Sequence, residues 1–242
     1  MSENKNALFS ASVGFICPMD CELRAVTSLF SDVTEVVFGG VRFLCGKIAE
    51  IPVVAAKCGV GKVFAAICAQ AMILGFSPRL IVNTGVAGNL SDTLSIGDIV
   101  ISTSVVQHDM DTSPIGDPVG LISGINQVYI ESDKEAAALM AAALSEIGLA
   151  YEMGVVASGD QFVATEEKRD FIRETFGALC CEMEGAAVGQ VCYVHNVPFL
   201  VLRALSDGAD GSSPDDFPAY CERVSENSSR AIAAFMARFK KN

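Results

Sequence analysis

The chain has 242 residues, of which 51% are apolar and 19% are charged, with a formal net charge of −12. This length and apolar content suit one α/β domain with a large core, while the negative charge argues against non-specific nucleic-acid binding, which needs a basic face. The sequence contains no uninterrupted apolar run of about 18 residues that would predict a membrane span. The first residues also lack the basic and apolar segments of a secretory signal.

The nine cysteines and two histidines bear on the compartment and on metal binding. The cysteine count is odd, no C-x-x-C pair occurs, and several of the cysteines lie between apolar residues. We therefore expect buried free thiols in a reducing cytoplasm rather than disulfides or a zinc site. No metal or other cofactor is expected.

The first strand is predicted at Val13–Cys17, and Pro18 ends it. We expect residues 1–12 to form a short flexible lead-in and residues 13–242 to form the domain. A helical pattern begins at Met19, so Glu22 lies in the first turn of the helix. A carboxylate at that position can simply favour the helix dipole, or it can face a site.

A hairpin follows, because short β runs at 34–38 and 41–48 flank Gly39-Gly40. A third run at 51–57 leads to Gly59-Val60-Gly61-Lys62 and a helix at 63–74. This glycine turn resembles a phosphate loop only superficially, since Ala56 replaces the first glycine and Val63 replaces Ser or Thr. We interpret it as a turn that allows close packing of helix and strand.

The middle of the chain predicts strands at 80–82 and 96–102, separated by a run of small residues at 83–89 where a ligand can approach the backbone. Residues 107–127 are polar, contain Gly and Pro and show no period, so we expect a long loop. The His108-Asp109-Met110-Asp111 segment could hold a metal ion, but a solvated loop or a subunit contact explains it as well.

In the last third, Ser132-Asp133-Lys134-Glu135 reads as a capping box opening a helix to Ile147. A strand at 151–157 follows, then a helix capped by Thr165 and a last helix at 214–239. Alternating strands and helices predict a single α/β domain in which helices flank a central, twisted, mixed sheet, with parallel pairings in the majority.

Acidic residues occur at two predicted strand ends. Glu182 and Glu184 follow the apolar run at 178–180, and we expect one of them to face a pocket and the other to face away. Asp207 ends the run at 198–205. Because ligands of open α/β sheets bind outside the carboxyl ends of strands, we expect these carboxylates and Glu22 to share one crevice.

Five motifs occur in order along nearly the whole chain: Gly14…Met19-x-x-Glu22, Asn83-Thr84-Gly85-x-Ala87-Gly88 with Gly97-Asp98-Ile99-Val100, Ser158-Gly159-Asp160-x-Phe162, Glu182-Met183-Glu184 and Arg203-x-x-Ser206-Asp207. Together they resemble the 5'-methylthioadenosine/S-adenosylhomocysteine nucleosidases of the purine nucleoside phosphorylase superfamily. The resemblance implies a nucleoside phosphorylase-like fold and cleavage of the N-glycosidic bond of 5'-substituted adenosines.

The resemblance also implies roles for the three carboxylates. Asp207 would donate a proton to adenine N7, Glu184 would accept hydrogen bonds from the ribose 2'- and 3'-hydroxyls, and Glu22 would activate water. Arg203 would help to place Glu22, and Ser206 belongs to the same binding motif.

Further side chains would complete the site by the same resemblance. Phe162 would stack on adenine, the Val163 backbone would read its edge, Met19 and Met183 would line the ribose, and Phe217 would close the 5' side. Val86, Ala87 and Gly88 would form the floor. For Phe162, Met19 and Met183, core packing is the alternative. A partner subunit would complete the 5' pocket, so a homodimer is implied.

Water is the expected nucleophile because few cationic residues that could bind phosphate lie near the expected floor. A purine nucleoside phosphorylase and a non-catalytic nucleoside-binding protein remain alternatives. The chain departs from the family at Val86, where serine is frequent, at Pro18, where a small flexible residue is usual, and at Ile115, where an aromatic is expected. These departures leave methylthio, homocysteinyl, 5'-deoxy and futalosine-type substituents open.

Overall fold

The computed structural model describes residues 11–210 and 217–239, without the side chains of 217–225. The described residues form an α/β domain in which helices flank a central sheet. The strands are β1 Val13–Cys17, β2 Ser31–Phe38, β3 Val41–Ile48, β4 Ile51–Lys57, β5 Leu80–Asn89, β6 Ile99–Gln107, β7 Tyr129–Glu131, β8 Tyr151–Ser158, β9 Ala178–Glu182 and β10 Phe199–Asp207. The helices are α1 Asp20–Thr27, α2 Lys62–Phe76, α3 Lys134–Ile147, α4 Glu166–Phe176, α5 Gly185–His195 and α6 Phe217–Phe239.

The sheet is mixed, as predicted, and it closes partly on itself. Strand β1 runs parallel to both β4 and β5, and β10 runs parallel to β5. Beyond β10 the order is β6, β8 and β9, and β9 returns to pair antiparallel with the end of β5. Among the described strands five pairings are parallel and five are antiparallel, so the expected majority of parallel pairings is not found.

Strands β5, β10, β6, β8 and β9 form a closed ring, and this closure determines where the site lies. Because β1, β5 and β10 are parallel, their carboxyl ends meet at one edge. The Gly88–Cys181 pairing brings the end of β9 to the same edge. Every residue of β1 and β10 is buried, so the side chains at this edge are held on a rigid frame.

Two apolar layers hold the helices against the sheet. Cys68 and Met72 of α2 pack with Val188 and Cys192 of α5 in one layer. Met140 of α3 and Phe235 of α6 pack in the other. All eight cysteines whose side chains are described are free thiols.

Local signals located several turns and caps correctly. The hairpin at Gly39-Gly40 joins β2 to β3 with Phe38 opposite Val41. The Thr165 hydroxyl caps α4 by accepting from the Lys168 amide at 3.3 Å.

The predicted capping box at Ser132 is wrong. Asp133 caps α3 instead, its carboxylate accepting from the Ala136 amide at 2.8 Å. The hydroxyl of Ser132 is buried against that of Ser102, 2.6 Å away in β6, so a tertiary contact takes the group that local sequence assigned to the helix.

Several element boundaries differ from the prediction for the same reason. The strand predicted at 80–82 continues as β5 to Asn89, because β9 and β10 pair with its small-residue end. The strand predicted at 96–102 runs instead as β6 to Gln107, and β7 was not predicted. The last helix was predicted from residue 214, but 214–216 lie outside the described residues, as do residues 1–10.

The long loop after β6 is confirmed in outline, with one 3-10 turn at Ser113–Ile115. Its beginning is not solvated, because His108 is buried and Asp109 pairs with Lys62. Within residues 11–210 and 226–239 no group of three His, Cys, Asp or Glu side chains is placed to hold a metal ion. No helix in the described part of the chain is long and apolar enough to cross a membrane.

Candidate active site

One cavity of about 150 Å³ opens at the shared edge of β1, β5, β9 and β10. Every sequence-predicted site residue whose side chain is described lines it. These are Met19, Glu22, Val86, Ala87, Gly88, Phe162, Val163, Met183, Glu184, Arg203, Ser206 and Asp207. The side chain of Phe217 lies outside the described residues.

Glu22 joins helix α1 to strand β5. Its Oε2 accepts from the amide of Met19, the N-cap of its own helix, at 2.7 Å, and its Oε1 accepts from the Val86 amide at 2.9 Å. The carboxylate therefore does more than favour the helix dipole, since only the Met19 contact is local. Burial raises the pKa of Glu22 to about 7, although the Arg203 charge and both amides act in the opposite direction.

The approach of this carboxylate depends on glycine at position 85. A Cβ there would lie 2.6 Å from Glu22 Oε1 and 2.5 Å from Arg203 Nη1. Any larger residue would have to displace one of these charged groups. The small-residue run at 83–89, in β5, therefore leaves room for the side chains of Glu22 and Arg203.

Arg203 is the cation at the centre of the site. It lies on β10, is 1% exposed, and its Nη2 contacts Asn83 Oδ1 and the carboxylates of Glu182 and Glu184. Its Nη1 donates to the Val86 carbonyl at 3.3 Å. The guanidinium therefore ties β5, β9, β10 and the start of α5 together.

Glu182 and Glu184 do not point to opposite sides, which corrects the expectation, because residues two positions apart on a strand lie on the same face. Strand β9 ends at Glu182, and Glu184 is already the N-cap of α5 with φ −137° and ψ −40°. The chain leaves the strand between them, and both carboxylates still face Arg203. Glu182 also accepts from the Ser158 hydroxyl and from the amides of Glu184 and Gly185.

Glu184 is oriented by contacts from two directions. Its Oε1 accepts from the Gly61 amide at 2.9 Å, and its Oε2 lies 3.5 Å from Arg203 Nη2. Burial raises the pKa of Glu184 to about 7, against the Arg203 charge and with a contribution from Glu182. Glu22, Glu182 and Glu184 thus surround a single guanidinium, and this excess of negative charge favours retention of a proton.

Asp207 ends β10 and is buried. Its Oδ1 accepts from the Ala209 amide at 2.9 Å, and its Oδ2 lies 2.8 Å from the Ser206 hydroxyl. That hydroxyl is also 3.2 Å from the Ala87 carbonyl. Because a serine hydroxyl has one proton, it can donate to only one of these oxygens at a time.

The apolar wall of the cavity contains Met19, Phe162, Val163 and Met183. Phe162 is 58% exposed, which excludes core packing as its role. Met19 and Met183 are half-buried and line the cavity. The apolar wall therefore faces the carboxylates across a space that could admit a flat, partly apolar ligand.

Some lining residues were not among those predicted from the sequence. Pro18, Val60, Gln161, Cys181 and Glu182 also border the cavity. Gln161 lies inside a motif that was recognised, and Glu182 was recognised but assigned to the wrong side. Nothing in the local sequence marks Val60 or Cys181, because strand pairing and the turn before α2 bring them to the site.

Comparison with known proteins identifies the family. Residues 12–237 match the phosphorylase superfamily. A 5'-methylthioadenosine/S-adenosylhomocysteine nucleosidase of Shewanella halifaxensis is 34% identical over 225 residues, which are 93% of this chain and 98% of that protein.

Two solved structures from Helicobacter pylori are similar in fold. One is a futalosine hydrolase, with a TM-score of 0.89 and 33% identity, covering 94% of this chain and 97% of that one. The other is an aspartate-to-asparagine variant of the 5'-methylthioadenosine/S-adenosylhomocysteine nucleosidase with 5'-methylthioadenosine in the active site. It has a TM-score of 0.89 and 32% identity, covering 97% of this chain and 100% of that one. By this similarity along nearly the whole of each sequence, the chain belongs to the phosphorylase superfamily, among the 5'-methylthioadenosine/S-adenosylhomocysteine nucleosidases.

Proposed function

We propose that this protein hydrolyses the N-glycosidic bond of 5'-substituted adenosines, such as 5'-methylthioadenosine, S-adenosylhomocysteine or 5'-deoxyadenosine, and releases adenine. The observation that carries the proposal is the meeting of Glu22, Glu184 and Asp207 at one cavity, from α1, the start of α5 and the end of β10. Cleavage needs a proton for the leaving base, support for a positively charged ribosyl centre and an oriented water molecule. The three carboxylates could meet these needs separately.

In this proposal Asp207 gives its proton to adenine N7 as the bond to the sugar breaks. Its position at the end of a fully buried strand, with the Ser206 hydroxyl and the Ala209 amide against its two oxygens, supports a well-oriented acid. General-acid help of this kind contributes about 10²- to 10⁴-fold to a rate. Phe162 would stack on the base, and the Val163 backbone would read its edge.

Glu184 would bind the ribose diol, which requires an ionised acceptor because both hydroxyls are donors there. The Gly61 amide and Arg203 leave the carboxylate aimed into the cavity. Met19 and Met183 would line the sugar. Phe217 is proposed for the 5' side by resemblance alone.

Glu22 would take a proton from the attacking water, whose oxygen then bonds to the sugar carbon. Two amides hold its carboxylate, and lone pairs remain on both oxygens for the water. A pKa of about 7 suits a base that works near neutral pH. Val86 contacts Glu22 through its backbone amide, and it lacks the hydroxyl of the serine that is frequent at this position.

Water is favoured over phosphate by the charges around the cavity. Among the described residues that line it, Arg203 is the cation, and carboxylates already surround it. Lys62 points elsewhere, since its Nζ lies 2.6 Å from Asp109 Oδ1. Product analysis with and without phosphate tests this: we expect adenine and the free sugar in both cases, and a sugar 1-phosphate would overturn the assignment.

A futalosine-type nucleoside is the second candidate substrate, favoured by the similarity to the H. pylori futalosine hydrolase. A panel of 5'-methylthioadenosine, S-adenosylhomocysteine, 5'-deoxyadenosine and futalosine, compared by kcat/KM for release of the base, separates the candidates. A preference of more than tenfold for futalosine would replace the first proposal.

We also propose a cytoplasmic homodimer. Helices α2 and α5 expose an apolar face that consists of Val63, Phe64 and Ile67 on α2 and Tyr193 and Val194 on α5. Exposed apolar residues on two neighbouring helices are typical of a contact surface. Val60 is exposed just before α2 and also lines the cavity, so a partner on this face would lie close to the site.

A further inference from the structure

Three segments meet beside the cavity in a closed set of contacts. The Lys62 ammonium lies 2.6 Å from Asp109 Oδ1, and the Lys62 amide donates to Asp160 Oδ1 at 2.7 Å. The Asp160 amide in turn donates to Asp109 Oδ2 at 2.9 Å. Each of the three residues therefore binds the other two, and we name this set the Lys62 clamp.

The clamp is partly removed from solvent. The side chains of Lys62 and Asp109 are 18% and 17% exposed, well below the ion pairs on the protein surface such as Lys47–Asp32 at 40% and 70%. Burial acts to raise the pKa of Asp109, but the Lys62 ammonium and the Asp160 amide hold this pKa below its usual value. Such a pair is screened less than an exposed one and can hold a fixed geometry.

The clamp is also anchored to helix α5. The Lys62 ammonium donates to Gln107 Oε1 at 3.0 Å, and the side-chain Nε2 of Gln107 donates to Gln190 Oε1 at 2.7 Å. Gln190 lies on the helix that begins directly after Glu184. The clamp therefore ties the turn before α2, the end of β6 and the turn after β8 to the element that carries Glu184.

The residue next to Lys62 makes the contact with the site. The Gly61 amide donates to Glu184 Oε1 at 2.9 Å, between residues that are 123 positions apart. Gly61 has a φ of +104°, which only glycine adopts easily, so the peptide by itself has several accessible orientations. The Lys62 amide, held by Asp160, belongs to the peptide that follows Gly61 and so restricts the glycine from that side.

We propose that Lys62 is a positioning residue for the reaction: through its clamp with Asp109 and Asp160 it orients the Gly61 amide, which in turn orients the Glu184 carboxylate toward the ribose diol. This inference rests on the proposed function for the role of Glu184. The other groups that face Glu184 are Arg203 on β10, Glu182 on β9, Glu22 on α1 and Cys58 after β4. The clamp acts on Glu184 through the Gly61 amide, in addition to the effect of these groups.

The kinetic test compares Lys62→Met with the parent on 5'-methylthioadenosine and on its analogue that lacks the ribose 3'-hydroxyl. We expect kcat/KM to fall roughly tenfold on the full substrate, mainly through KM, and less than about threefold on the analogue, which cannot use all of Glu184. Asp109→Asn should behave alike, and the double variant should be no worse than Lys62→Met alone. Lys47→Met, which removes an exposed ion pair of 2.9 Å, is the matched control.

A second measurement needs no activity. In the ligand-free protein the Gly61 amide proton should resonate downfield and follow the titration of Glu184, and Lys62→Met or Asp109→Asn should shift it upfield while Lys47→Met leaves it unchanged. An unmoved Gly61 resonance, or equal losses of kcat/KM on both substrates, would overturn the inference. If the parent released no base from any nucleoside, the proposed function would fail, and the resonance would still decide whether the clamp orients the amide.

Discussion

The backbone amide of Glu184 donates to the carboxylate of Glu182, its neighbour but one, at 3.0 Å. The same carboxylate binds Arg203. Glu182, which was expected to face away from the site, therefore holds both Glu184 and Arg203 in place. Glu182 therefore links the geometry of the diol-binding residue to the buried cation. This link can be tested through both stability and pH dependence.

We expect Glu182→Gln to lower the free energy of unfolding by about 3 kcal/mol, near the lower end for a broken buried ion pair, because Glu22 and Glu184 still neutralise Arg203. Urea unfolding measures this change. The control is Glu131→Gln, which removes an exposed partner 4.0 Å from Lys134 and should have almost no effect. Equal stability of the two variants would show that the Glu182–Arg203 pair does not stabilise the fold.

The pH dependence of activity should report the buried carboxylates. Glu22 and Glu184 must be ionised to act as base and diol acceptor, and their pKa values are both about 7. We therefore expect kcat/KM to fall as the pH drops below about 7, with apparent values that belong to the interacting groups together. Because the Glu182 charge raises both pKa values, Glu182→Gln should move this decline to lower pH, whereas a decline at the same or higher pH would contradict the arrangement.

The stability of the protein should also depend on Glu22. Its folded pKa of about 7 lies above the ordinary 4.5, so between these values the folded chain binds more protons than the unfolded one, and stability is lost as pH rises. Glutamine cannot titrate, so the loss between pH 5 and pH 8 should be smaller in Glu22→Gln than in the parent, by up to about 3 kcal/mol. Urea unfolding at the two pH values gives the difference, and identical losses would contradict the raised pKa.

Asp207→Asn should keep the fold and lose about 10²- to 10⁴-fold in turnover, since asparagine can hydrogen-bond to adenine N7 but cannot give it a proton. Adenine release gives the rate, and thermal unfolding shows whether the fold is intact. A nucleoside with a leaving group that needs no proton should be cleaved by the variant with a much smaller loss. If Asp207→Asn cleaved 5'-methylthioadenosine as fast as the parent, Asp207 would not be the general acid.

The proposed dimer can be tested on its apolar face. Phe64 is 59% exposed on α2, and Phe64→Asp would place a charge inside the contact. We expect sedimentation to show monomers for this variant and dimers for the parent, together with reduced kcat/KM if the partner completes the 5' side. Val37→Asp, at an apolar residue of β2 that is 69% exposed, should leave the mass unchanged. A monomeric parent would end the proposal.

Several members of the site could be predicted from the sequence, because local signals report them. Pro18 ends a buried strand just before a helical pattern, which puts Glu22 in the first turn, and the apolar run of β10 ends at Asp207. Each of these placements needs only the direction of one element. The five ordered motifs then related these places to a family and so to a chemistry.

The tertiary structure alone decided how these places are connected. Glu182 and Glu184 both contact Arg203, which reaches them from β10. The end of β5 pairs with β9, and Gly61 reaches Glu184 from 123 residues away. Periodicity and caps describe neighbours within a turn or a strand, whereas these contacts depend on strand register and on side chains packed against distant segments. Buried charges made such contacts obligatory, but only the folded chain determined which groups would satisfy them.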